Sequence, residues 1–209
     1  MDWLRSQDTA KYRSGGAALQ DCLQSLREEV RIPLNVSCRG IVRGILTRRN
    51  DLVSVQGTAE LHGKQLDFHS ALHPVAQLST LISGVERAKY ELDLGRPQEA
   101  LAYLRAATQM LDVPSHAVRF PQRFHVESPG LCSEVFVCER TSFVANLHAY
   151  QDAPRGSGTP AGGPSAGGSS TSGSTPGGYR ATSTASAKSV DPALVEVSQK
   201  IDSILHLLS

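Results

Sequence analysis

The chain of 209 residues sets 21 Lys and Arg against 20 Asp and Glu, so no long-range field steers it toward nucleic acid or an anionic membrane. An apolar fraction of 40% is enough for a core, but glycine and proline are unevenly spread, which predicts a folded part and an unfolded part. MDWLRSQDTAKYRSGG has no apolar run behind its charges, no window reaches transmembrane length, and four cysteines are too sparse for a secreted disulfide scaffold, so a cytoplasmic protein without disulfides is expected.

Leu19, Cys22, Leu23, Leu26 and Val30 recur at steps of three and four, which predicts an amphipathic helix over 17–30 that stops near Ile32, because Pro33 disfavours helix in the residue before it. The period then changes to two. GIVRGILT and LVSVQGTAEL, joined across Arg48-Arg49-Asn50-Asp51, read as a hairpin, and a third short strand follows over Gln65–His69, giving a β region over 40–69.

Pro74 opens the next helix, whose stripe of Val75, Leu78, Leu81, Ile82, Val85, Ala88 and Leu92 ends at Gly95, a residue suited to a left-handed cap. Pro97 starts another, carrying Ala100, Leu101, Leu104, Ala107 and Leu111. The two are expected to pair, and 74–111 to pack with 17–30 as an antiparallel bundle. Proline at 114, 121 and 129 makes the following stretch an extended connection. LCSEVFVCERTSFVANLHAY then predicts a second hairpin over 131–150.

Residues 152–188 carry glycine, serine and proline without apolar periodicity and are expected to be a disordered tether. The folded core is thus placed at 17–150. Asp191-Pro192 reads as an N-cap and first helical residue, and Leu194, Val197, Ile201, Ile204 and Leu208 form a zipper-like seam over 190–208. That helix is expected to return to the bundle, although the seam equally fits another protein. The predicted fold class is α+β.

The reactive side chains fall into a few clusters. Cys132 and Cys138 are too widely spaced for a structural zinc pair, and His125 and His148 are the only other donors nearby. Alternation puts Cys138 opposite Val135 and Val137, which reads more simply as a small buried hydrophobe. Asp67, His69 and Ser70 have the letters of a triad, but adjacent strand residues point to opposite faces. Arg39, Arg43, Arg48 and Arg49 cluster at the first hairpin, where a solvated edge that discourages strand pairing explains them better than an anion site. No catalytic, cofactor-binding or metal-ligating residue is assigned, and the chain is expected not to be an enzyme. The rival reading is a small thiol enzyme or hydrolase built on Cys138 with His125 or His148.

LQSLREEVRI, IVRGILTRRNDLVSVQGTAEL, LSTLISGVERAKYEL and RFPQRFHVESPGLCSEVFVCERTSFVANLHAY resemble, in the same order, segments of the Rogdi (leucine-zipper) family. Leu147-His148-Ala149-Tyr150 matches the Leu-His-Ala-hydrophobic ending of that family's hairpin, and DPALVEVSQKIDSIL is similar to its last helix. The resemblance implies a helical bundle joined to a β region. It also implies a non-enzymatic adaptor of the RAVE-type complex, which promotes assembly of the vacuolar-type proton-pumping ATPase (V-ATPase). The implied partners are a large WD-repeat scaffold protein and V-ATPase peripheral-sector subunits, with no nucleic acid and at most peripheral contact with endosomal or vacuolar membranes. A different trafficking or cytoskeletal complex is the alternative within the adaptor class.

Overall fold

A computed structural model describes residues 2–38, 41–61, 63–70, 72–112, 119–120, 131–151 and 180–209. Among these residues the fold is α+β, with four helices against one antiparallel sheet. Helix α1 spans Asp2–Arg27, α2 Ala76–Asp93, α3 Pro97–Asp112 and α4 Pro192–Leu208. The strands are β1 (Val30–Cys38), β2 (Ile41–Arg49), β3 (Leu52–Leu61), β4 (Lys64–His69), β5 (His73–Pro74), β6 (Arg119–Phe120), β7 (Leu131–Cys138), β8 (Ser142–Gln151) and β9 (Arg180–Val190). Their order is β4-β3-β2-β1-β9-β8-β7-β6, with β5 pairing β3 off that path.

Strict alternation explains why these segments are strands. Ile32 and Leu34, Val42 and Leu46, Val53 and Val55, Val135 and Val137, and Phe143, Ala145 and Leu147 are all buried on the inner face, as a sheet with one face on a core requires. On the other face Arg43, Gln56, Asp67 and His69 are exposed.

The helices pack in sequence: α1 against α2 and α4, and α3 against α2 and α4. The α2–α3 turn closes as predicted from Gly95, which has φ 72. The Gly95 N–H donates to Leu92 O and the Arg96 N–H to Glu91 O, the pair of bonds that satisfies the last carbonyls of a helix ended by a left-handed glycine.

Three expectations need correction. The first helix, expected over 17–30, begins at Asp2 and ends at Arg27, with Gly15 and Gly16 buried within it. A Cβ added at Gly15 would come within 3.3 Å of Leu92 Cδ1, so the missing side chain lets α1 lie close to α2. Val30–Cys38 is a strand through Pro33 rather than a helix end. Strand β1 pairs β2 over Val30–Leu34 and β9 over Asn35–Cys38, so Pro33 lies where β1 has a ladder on one side only and its missing N–H breaks no bond.

The third correction concerns the tether. Its last residues, 180–188, belong to β9, a central strand paired with both β1 and β8. The strand was hidden because its inward residues Ala185, Ala187 and Ser189 are buried yet small, and lack the large apolar alternation by which strands are recognised. The rest of the expected tether, 152–179, lies outside the described residues, as does most of the extended connection before β7.

Candidate interaction surface

The α2–α3 hairpin carries a solvent-facing apolar surface. Tyr90, Leu94 and Met110 are 53%, 48% and 46% exposed, and Tyr103 is 39% exposed, high values for side chains of this size. Between the two tyrosines lies Arg87, its guanidinium carbon 5.4 Å from the Tyr90 ring centre and 5.7 Å from that of Tyr103. Both distances suit a cation against an aromatic face. Hydrogen bonding to Tyr103 raises the Arg87 pKa above its ordinary value, and Glu91 Oε1 lies 3.5 Å from Nε. Beside them, Ser83 and Gly84 of α2 and Ala106 and Ala107 of α3 line a shallow groove. The groove exists because α2 and α3 approach closely: a Cβ on Gly84 would fall 2.5 Å from Ala107 Cβ.

A second constellation is internal. Arg48 and Asp191 are both fully buried and joined by Arg48 Nε to Asp191 Oδ2 at 2.5 Å. Arg48 also donates to Leu26 O at 2.6 Å and Ser25 O at 3.5 Å, carbonyls of the last turn of α1. Asp191 Oδ1 accepts the Ala193 and Leu194 N–H groups at 2.9 and 3.3 Å, capping α4 as its sequence predicts. The cation thus sits at a helix C-terminus and the carboxylate at a helix N-terminus, each at the dipole end that favours it. This overturns the reading of Arg48 as a solvated edge residue. The turn is only Asn50-Asp51, since Arg49 pairs Leu52, so Arg48 stays in the strand and points inward in phase with Val42 and Leu46.

The other singled-out residues are dispersed. Cys138 is half-buried rather than buried, because it lies on the face opposite Val137. His148 pairs Cys132 at the far end of the hairpin from the Cys138–Ser142 pair. Six residues of strand, about 20 Å, therefore separate Cys138 from His148. His125 lies outside the described residues. Asp67 and His69 are exposed on β4, while the Ser70 hydroxyl accepts the Val55 N–H at 2.9 Å, a structural use. Arg43 and Arg49 are exposed, and Arg39 is not among the described residues. Among the described residues no group of three or more His, Cys, Asp and Glu side chains could hold a metal ion, and no helix is long and apolar enough to cross a membrane.

Gln77 was missed by sequence reasoning. Its amide bonds both backbone groups of Val137, Nε2 donating to the carbonyl at 3.1 Å and Oε1 accepting the N–H at 3.3 Å, which ties α2 to β7. Its buried place on the stripe of α2 was the available signal.

Compared with known protein families and with curated proteins, the chain matches no family model and no curated relative.

Proposed function

We propose that the chain is a non-enzymatic adaptor of a RAVE-type complex that promotes assembly of the vacuolar-type proton-pumping ATPase. The adaptor class is carried by one observation: Tyr90, Tyr103, Met110 and Leu94 face solvent around Arg87 on the α2–α3 hairpin. Tyrosine, methionine and arginine are the residues enriched in the cores of protein interfaces. The pump rests on the ordered resemblance of LQSLREEVRI through LHAY to the Rogdi family. With it go the finer proposals of an antiparallel four-helix bundle, from the apolar helix stripes, and of a cytoplasmic protein, which the likeness extends to endosomal or vacuolar membranes. A large WD-repeat scaffold is the expected direct partner.

The test is affinity capture of tagged full-length chain from cells, followed by mass spectrometry. Recovery of the scaffold and peripheral pump subunits is expected, together with loss of both on replacing Tyr90 and Tyr103 by alanine at an unchanged melting temperature. Capture of a trafficking or cytoskeletal assembly with no pump subunit would refute the pump assignment. Undiminished capture by the double-alanine variant would remove the α2–α3 surface from it.

A further inference from the structure

Strand β9 stands between β1 and β8, so it joins the β1–β4 side of the sheet to the β6–β8 side. Its ladder with β8 runs from Ser142↔Val190 to Gln151↔Arg180. A two-residue turn closes such a pair in an ordinary hairpin, yet the 28 residues 152–179 stand between these cross-strand neighbours. The covalent connection is therefore far longer than the pairing needs.

What seats β9 and α4 is a set of non-covalent contacts converging on one point. Ala185 and Ala187 fill the strand slot, and Ser189 Oγ donates to Pro33 O at 2.5 Å. The Asp191 N–H donates to Thr141 O at 2.9 Å, and its carboxylate meets Arg48. Beyond it Leu194, Val197, Ile201 and Ile204 are buried where α4 packs on α1 and α3. Ladders on both sides, small pockets for alternate side chains and one desolvated charge pair are the means by which a strand-adding ligand is recognised.

We propose that residues 180–209 are a separable ligand of the rest of the chain, and that the slot between β1 and β8, with Arg48 at its end, accepts the same segment from a second copy. The second copy is the occupant the chemistry selects, because the slot takes small inward strand residues, then a carboxylate at the strand–helix junction, then an apolar helical stripe. Within one chain the covalent link makes that pairing intramolecular, an advantage that the same segment of a second copy lacks. Cutting the linker removes that advantage and opens the slot to exchange.

The test places a protease site within 152–179 of the full chain and cuts the native protein. The cut protein is expected to elute as one species that retains 180–209. Excess fluorescent 180–209 peptide should then replace the resident segment and co-elute with the body. A peptide carrying Asp191→Asn still caps the helix but leaves Arg48 without its carboxylate, and should compete about a hundredfold less well or worse. Release or unfolding on cutting, a retained segment that never exchanges with excess peptide, or equal competition by the Asn peptide would each overturn the proposal.

Discussion

Arg48 is an arginine at an inward position of a central strand, and it is tolerated there because every side of its charge is answered: a carboxylate, two carbonyls and the end of a helix. Removing one member of such a pair leaves a buried charge, a loss of about 3–5 kcal/mol, whereas removing both can be nearly neutral. Arg48→Met and Asp191→Asn are each expected to lower the urea midpoint strongly, and the double variant to lose far less than the sum, with a coupling of about 2 kcal/mol or more. Additive losses in that cycle would show that the pair contributes nothing beyond its separate contacts. The pair was half legible in the sequence: the cap at Asp191 was read from Asp-Pro, but Arg48 was assigned to a turn when alternation through Val42 and Leu46 already pointed it inward. Cys22 gives a pH-dependent case. Burial, opposed by the charge of Lys200, pushes its thiol from 9.0 up to about 11. The folded state thus keeps its proton where the unfolded chain has lost it, so stability is complete below about pH 9 and falls between pH 9 and about 11. Cys22→Ala is expected to flatten that alkaline fall in stability, measured by denaturation at each pH. An unchanged slope would place the thiol in contact with water.

At the scale of elements, Gly84 of α2 lies tight against Ala107 of α3. Alanine is the better helix former by about 1 kcal/mol, so on propensity alone Gly84→Ala would stabilise. The added methyl instead meets Ala107 Cβ at 2.5 Å, and overpacking of that kind loses about 1–3 kcal/mol. A net drop in melting temperature is expected for Gly84→Ala, reversed when Ala107→Gly is added. A rise for the single variant would mean that the helices separate freely. What was visible beforehand follows the size of the side chains. Leu78, Leu81 and Val85, or Leu194, Val197 and Ile201, announce a helix because large apolar residues mark its buried stripe, and Val135, Val137 and Phe143 announce a hairpin by alternation. Elements that pack through small residues left no such mark. Ala185 and Ala187 looked like part of a tether, although close packing is what they provide. The apolar surface around Arg87 was also hidden, since Tyr90 and Tyr103 lie off the stripes and only the helix-to-helix geometry brings them together.

The whole molecule has a sheet whose middle strand arrives last in the chain, so neither half of the sheet is complete until β9 has found both neighbours. Closing that contact carries the entropy of a long loop, which grows as about (3/2)RT ln n for n residues. Replacing 152–179 by Asn-Gly, a pair suited to a two-residue hairpin turn, would join Gln151 directly to the turn that leads into Arg180, its partner across the ladder. Relative to 28 residues, the shorter loop should add about 2 kcal/mol to the stability of the folded state while leaving the Arg48–Asp191 junction untouched at the other end of β9. The measurement is equilibrium urea unfolding of the full and shortened chains, followed through one transition in each. A gain with an unchanged denaturant slope is the result that this strand order requires. A loss would mean that Gln151 and Arg180 are not neighbours and that β9 enters the sheet in another register.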